Sequence, residues 1–258
     1  MGIVNLTPDS FSSDGLGNDL ERAVAHARHQ LEAGADILDI GAESSRPGAT
    51  PTPEDEELRR LIPLLERIAG WGVPISVDTY KPAVMRAALV AGATMINDIA
   101  GLRYPGALEA VQGSDCAVCL MHMRGEPGTM QQAPEYQDVV GEVEAYLGER
   151  LALCRQAGIA AERIVLDPGF GFGKSLEHNL AMFRALPRFA EAGYPLLVGV
   201  SRKSMLGGIT GRPVGERMPA SIAAAMLAVQ KGAKILRVHD VAATVDALKV
   251  LSAIEQGS

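Results

Sequence analysis

One phrase of hydrophobic and polar positions recurs along the chain. An amphipathic stretch with helical spacing is followed by a glycine and then by a short apolar, often β-branched run. The glycine stands at Gly34, Gly92, Gly158, Gly193 and Gly232. A glycine just past a helix takes the left-handed conformation that ends it, so each phrase reads as a helix turning into the next strand. Apolar runs at 2–5, 37–40, 74–78, 95–97, 117–121, 164–167, 196–200 and 235–238 supply eight strands. They are continuously apolar rather than alternating, as parallel strands covered on both faces must be. Eight βα units in series predict a closed (β/α)8 barrel, a TIM barrel, as a single domain over residues 1–258. The alternative is a doubly wound open sheet.

Composition changes this picture little. A length of 258 residues admits one barrel or two small domains, but no linker or low-complexity stretch divides the chain. With 47% hydrophobic and 21% charged residues, it has the profile of a soluble globular protein with a sizeable core. Charge matters more. A formal net charge of -7 argues against nucleic acid or an anionic membrane as partner, so any anion site must be local. There is no run of 18 apolar residues, and the opening MGIVNLTPDS has no basic leader, so neither a membrane span nor secretion is expected. Three cysteines, Cys116, Cys119 and Cys154, cannot all pair and indicate a reducing, cytoplasmic setting; Cys116 and Cys119 read as core thiols rather than half a zinc site. Glu54-Asp55-Glu56-Glu57 after Thr52-Pro53 reads as a capped helix start whose carboxylates face the helix dipole. His26 and His29 read as solvated helix residues.

In a barrel the loops after the strands build the site, and here each strand ends in a polar residue. In order these are Asn5, Asp39, Asp78, Asn97, His122, Asp167, Ser201 with Arg202 and Lys203, and Arg237 with His239. Asp78, Asn97 and Asp167 offer donors and acceptors to a flat heterocycle with adjacent N–H groups. Arg46, Lys203, Arg237 and His239, with Asn5 as an oxygen donor to a metal, suit a phosphate or diphosphate. The run DPGFGFGKS fails as a P-loop, because Pro168 stands where a glycine is needed, and fails as a dinucleotide fingerprint at Lys174. Its glycines are expected to let the backbone pass close to a ligand, with Phe170 or Phe172 available to stack. The loops TPDSFSSDG and GAESSRPGATPTP read as covers over the site.

These residues resemble one family. MGIVNLTPDSFSSDG, DIGAESSRPGA, SVDTYKP, INDI, LMHMRGEPGTMQ, DPGFGFGK, SRKSMLG and RVHDV follow the order and spacing of the bacterial dihydropteroate synthases almost end to end. The resemblance implies a barrel enzyme of folate biosynthesis that condenses 6-hydroxymethyl-7,8-dihydropterin diphosphate with 4-aminobenzoate, releasing diphosphate, with Mg2+ accompanying the diphosphate. It implies that Asp78, Asn97, Asp167 and Lys203 hold the pterin, with Met121 and Phe172 packing on it and Arg237 stacking over it. Asn5, Ser45, Arg46, Arg237 and His239, helped by Asp39, would face the diphosphate and its Mg2+. Phe11, Pro47, Lys203 and Ser204 would form the aminobenzoate pocket, where sulfonamides also bind. Asp78, Asp167, Lys203 and Arg237 are the implied catalytic set, and a homodimer through late barrel helices, around 222–229, is implied as well.

Ala42 and Ser45 replace the family's usual Gly and Thr, and the segment that commonly precedes the first strand is missing from this sequence. Two rivals remain. A pterin-binding methyltransferase domain that presents methylfolate to a corrinoid protein shares the barrel, but SRKS and the TPDSF loop belong to the condensing enzyme. An aldolase using Lys203 as a Schiff-base nucleophile conflicts with a site built for anions, which would keep that lysine protonated.

Overall fold

The computed structural model describes residues 1–7, 20–44, 48–126, 128–131 and 134–255. Strands β1 (Gly2–Asn5), β2 (Leu38–Gly41), β3 (Ile75–Asp78), β4 (Met95–Asp98), β5 (Ala117–Met121) and β6 (Ile164–Asp167) pair in that order, all in parallel. Strands β7 (Leu197–Val198) and β8 (Ile235–Leu236) pair with each other. Two bridges join these sheets: Leu166 with Leu196, and Gly2 with Val238. The ring is thereby closed and the barrel expectation holds. The runs expected at 196–200 and 235–238 shorten to two residues each, because the backbone leaves the ladder where Gly199 and Arg237 begin the site. All five punctuating glycines have positive φ.

Helices α1 (Leu20–Glu32), α2 (Glu54–Ile68), α3 (Pro82–Val90), α4 (Ala107–Gln112) and α5 (Val139–Gln156) follow β1 to β5 in turn. After β6 come α6 (Leu176–Arg184) and α7 (Leu186–Ala190), after β7 come α8 (Ser204–Thr210) and α9 (Met218–Gln230), and α10 (Val241–Glu255) follows β8. Outward strand residues such as Val4, Ile40, Val77, Ile96, Val118 and Leu166 merge with the helices in one large core. The inner faces form a second, smaller core of Met1, Met95, Cys119, Val165 and Leu197. A strand's side chains repeat every two residues on one face. One step beyond this plug the same inner faces therefore carry Asn97, Met121, Asp167 and Arg237, and with them Asn5 and Asp78. An apolar floor beneath a polar layer is what places the site at the carboxyl ends of the strands.

Three sequence expectations need correction. Thr52 does not cap α2: the N-cap is Pro53, without a side-chain cap bond. The acidic run is not wholly a solvated dipole partner either, because Glu57 is completely buried on the apolar stripe of α2 with Leu61, Leu64, Leu65 and Ile68. His26 is part-buried, its Nε2 3.2 Å from the Ile3 carbonyl of β1, whereas His29 is exposed as expected. The three cysteines are buried free thiols, in line with the core reading.

Candidate active site

A cavity of about 410 Å³ opens at the carboxyl ends of the strands. That is within the usual range for small-molecule sites. Asn5, Asp78, Phe172, Lys203, Ser204, Arg237 and His239 line it, as do Glu43, Ser44 and Met130.

Arg237 organises one side. Its Nε donates to Asp39 Oδ2 at 2.6 Å and its Nη2 to Asp78 Oδ2 at 2.9 Å. Asp39 is fully buried, second in β2 rather than at its end, and its other oxygen accepts from Asn97 Nδ2 at 3.4 Å. Burial depresses the guanidinium pKa, but Asp39 and Asp78 together carry it above its ordinary value. Burial raises the Asp78 carboxyl to about 7, against the opposing pull of Arg237 and with help from Asp39. Next to it the Asn97 Oδ1 is buried and has no hydrogen-bond partner among the described residues. An orphaned acceptor costs about 1–3 kcal/mol, so this atom is set up for an incoming donor.

On the other side Asp167 is buried, its Oδ1 accepting the Gly169 amide at 2.7 Å; burial raises its carboxyl above the ordinary range. Lys203 donates to the Phe170 carbonyl and its Nζ stands 4.7 Å from the centre of the Phe172 ring. Burial lowers this amine to about 8, although Asp167 pulls it up. Met121 is buried with Ile99, Met123 and Met130 in a cluster that Phe172 covers, so it packs beneath the pocket rather than lining it. His239 Nδ1 lies 3.0 Å from Ser201 Oγ. Phe11, Ser45, Arg46 and Pro47 lie outside the described residues, as does most of the first cover loop.

Two strand-end residues are engaged with other side chains. Arg202 turns to Asp240, with bonds of 2.6 and 3.1 Å. His122 is buried, its Nδ1 2.9 Å from Lys174 Nζ, and burial with the nearby lysine holds its pKa down at about 2, so it is neutral. The glycines of DPGFGFGKS are also needed for another reason than a ligand. At Gly169 a Cβ would overlap the His122 carbonyl oxygen, and at Gly173 that of Arg124, and both have positive φ. The turn is pressed against the β5 loop. Phe170 is buried with its ring packed against Phe183, although it too borders the cavity; Phe172 is the more exposed of the two.

Sequence reasoning missed a cluster behind the pocket wall. Lys81 ion-pairs with Glu43 and Glu57 and donates to the Thr52 carbonyl at 2.6 Å, while Tyr80 donates to Glu43 at 2.7 Å. Burial raises the Glu57 carboxyl; for Lys81 the two carboxylates outweigh burial and raise the amine. The signal was present, because Glu57 falls four, seven, eight and eleven residues before the buried residues of α2. The anchor holds Glu43 in the wall. Among the described residues no group of three His, Cys, Asp or Glu is placed to hold a metal. No described helix is long and apolar enough to cross a membrane.

Comparison with known proteins agrees with this architecture. Residues 1–239 match the family model described as "Pterin binding enzyme". The dihydropteroate synthase of Neisseria meningitidis serogroup B is 55% identical over 261 aligned positions, covering 98% of this chain and 92% of that one. Among solved structures, Yersinia pestis dihydropteroate synthase in complex with a sulfonamide drug superposes with a TM-score of 0.96 at 46% identity, covering 100% of this chain and 94% of that one. Burkholderia cenocepacia dihydropteroate synthase complexed with 7,8-dihydropteroate gives 0.91 at 53% identity, over 99% and 91%. A TIM barrel with its polar layer at the carboxyl ends, matched over nearly its whole length by these proteins, belongs to the dihydropteroate synthases of the pterin-binding enzyme family.

Proposed function

We propose that this chain is a transferase of folate biosynthesis. It joins 6-hydroxymethyl-7,8-dihydropterin diphosphate to 4-aminobenzoate and releases 7,8-dihydropteroate and diphosphate. The observation that carries the reading is the orphaned Asn97 Oδ1, in register with Asp78, which lines the cavity together with Lys203, Arg237 and His239. A pterin presents adjacent N–H groups that such acceptors take up, and each charge-assisted bond shielded from water supplies roughly 1.5–3 kcal/mol. The relatives support both halves: the Burkholderia enzyme was solved with 7,8-dihydropteroate and the Yersinia enzyme with a sulfonamide.

In this reading Asp78, Asn97, Asp167 and Lys203 bind the pterin, Phe172 packs on it with Met121 beneath, and Arg237 lies over it. Asn5, Ser45, Arg46 and His239 face the diphosphate, while Phe11, Pro47, Lys203 and Ser204 receive the aminobenzoate. The carbon–oxygen bond to the diphosphate breaks first, and its electron pair leaves with the diphosphate. The resulting pterin cation is stabilised by the preorganised carboxylates Asp78 and Asp167. The neutral arylamine nitrogen then forms the new carbon–nitrogen bond and loses a proton. Asn5 at the end of β1 lines the cavity with a neutral oxygen, which fits Mg2+. That ion is commonly held by one or two protein oxygens and the substrate's phosphates. When bound it would offset charge on the leaving diphosphate.

Free buried thiols fit a cytoplasmic setting. The exposed Met218 and Leu227 of α9, with Val250 and Ile254 of α10, fit a homodimer contact on the late helices. The methyltransferase reading is not favoured: the Neisseria meningitidis and Escherichia coli relatives are named as dihydropteroate synthases. The direct test supplies pterin diphosphate, Mg2+ and 4-aminobenzoate to the purified protein. Dihydropteroate with equimolar diphosphate is expected, and neither product in the presence of folded protein refutes the reading.

A further inference from the structure

The Gly169–Phe172 turn between β6 and α6 is held largely by side chains, beside one backbone bond from the Phe172 amide to the Gly169 carbonyl at 3.2 Å. Each of its four carbonyls accepts from a side-chain donor: Gly169 and Phe172 from Lys174, Phe170 from Lys203, and Gly171 from Gln131. Two amides are held in the same way, Gly169 by Asp167 Oδ1 and Gly171 by Asn179 Oδ1, both at 2.7 Å. Two lysines thus grip one turn from opposite sides. Lys203 stands in the cavity, whereas Lys174 is only 3% exposed and does not line it.

Lys174 lacks the partner a buried ammonium usually has, since no described salt bridge includes it. Its Nζ instead meets Gly169 O at 2.8 Å, His122 Nδ1 at 2.9 Å and Phe172 O at 3.0 Å, with His122 O further away at 3.4 Å. An ammonium has three protons and no acceptor, so the three near groups match its donors one for one. The neutral His122 leaves Nδ1 free to accept. Burial alone would drive the proton off Lys174, which lowers its pKa well below the ordinary lysine value. Asp167 opposes that loss. What the buried amine achieves is geometric: it ties the β5 loop at His122 to both ends of the turn. The middle of the turn holds Lys203 through the Phe170 carbonyl and the Phe172 ring, and its first amide holds Asp167.

We propose that Lys174 is a positioning residue for the condensation: by fixing the Gly169–Phe172 turn it sets where Lys203 stands in the cavity, without touching substrate itself. The inference rests on the proposed synthase activity. A small displacement of reacting groups is enough to cost up to about a hundredfold in rate, so the effect should be readable.

The test is a double-mutant cycle of Lys174→Met, Lys203→Met and the pair, read as kcat/KM and as calorimetric affinity for the pterin. Lys174→Met is expected to lower kcat/KM about 10- to 100-fold. The pair is expected to be no worse than Lys203→Met alone, because Lys174 then has nothing left to position through. Lys174→Gln, which keeps two donors, should recover part of the loss, and it carries the same cycle where the methionine variant does not fold. Losses that simply multiply, or a folded Lys174→Met with unaltered kcat/KM, overturn the proposal. Failure of both variants to fold also overturns it, leaving Lys174 a residue of the fold alone. Wild-type protein that makes no dihydropteroate would refute the synthase reading instead, whatever the variants do.

Discussion

Arg237 and Lys203 both bring positive charge to the same cavity, and they are held in opposite ways. Arg237 is braced by two carboxylates, Asp39 and Asp78, at 2.6 and 2.9 Å. Lys203 rests on a neutral carbonyl and an aromatic face. The first arrangement carries the guanidinium pKa upward and fixes a planar fork that cannot lose its charge. The second leaves an ammonium at about 8, charged at neutral pH but within reach of titration. A strongly paired cation contributes to stability and orientation. A weakly paired one keeps its field for whatever enters the cavity, and in the proposed reaction both substrates meet at Lys203.

This contrast can be broken experimentally. Lys203→Ala should show the largest effect, a fall in condensation of roughly a thousandfold, since it removes a preorganised charge from both substrates; steady-state turnover near the wild-type rate would remove Lys203 from the site. Arg237→Met leaves Asp39 buried without its counter-charge and should lower stability by about 3–5 kcal/mol. Lys203→Met should lose only a small fraction of that in the same urea titration, and equal losses would erase the distinction drawn here. The smallest effect is in pH. Because Lys203 ionises near 8, kcat/KM should fall above that value, to about a tenth by one pH unit higher. Stability should move the other way. The folded pKa lies below the unfolded one, so the unfolded chain binds the extra proton between pH 8 and the ordinary lysine value, and stability rises with pH across that window. Lys203→Met should reduce the rise, to which the buried Lys174 also contributes, and a kcat/KM profile flat from pH 7 to 9 would show that the ammonium is not required.

Much of this was legible in the sequence, for physical reasons. Parallel strands buried on both faces must be continuously apolar, so their runs stand out, and the ring order followed from the repeat. The polar layer was legible because Asp78, Asn97, Asp167 and Arg237 interrupt otherwise apolar runs. What was hidden depends on partners distant in the chain. Glu57 looked like one more carboxylate of an acidic run until Lys81, 24 residues away, reached it. Lys174 was legible only as the residue that spoils a nucleotide fingerprint, since its acceptors are backbone carbonyls that every residue possesses. His122 stood at the right place along the chain, but side-chain direction, which no spacing encodes, turned it to Lys174 instead of the cavity, while Arg202 borders the cavity with its guanidinium bonded to Asp240.

The closure of the barrel has a consequence for how the protein comes to be active. Strands β7 and β8 are two residues long and join the ring through single bridges to β6 and β1. Arg237 nevertheless reaches from β8 to residues 198 and 159 positions earlier in the chain. The first strands are made early in synthesis, yet Asp39 has no counter-charge until the last strand arrives. A chain halted before β8 lacks the guanidinium that pairs Asp39 and Asp78, and the cavity lacks Arg237 and His239. The last strand therefore supplies both the counter-charge of Asp39 and part of the cavity wall.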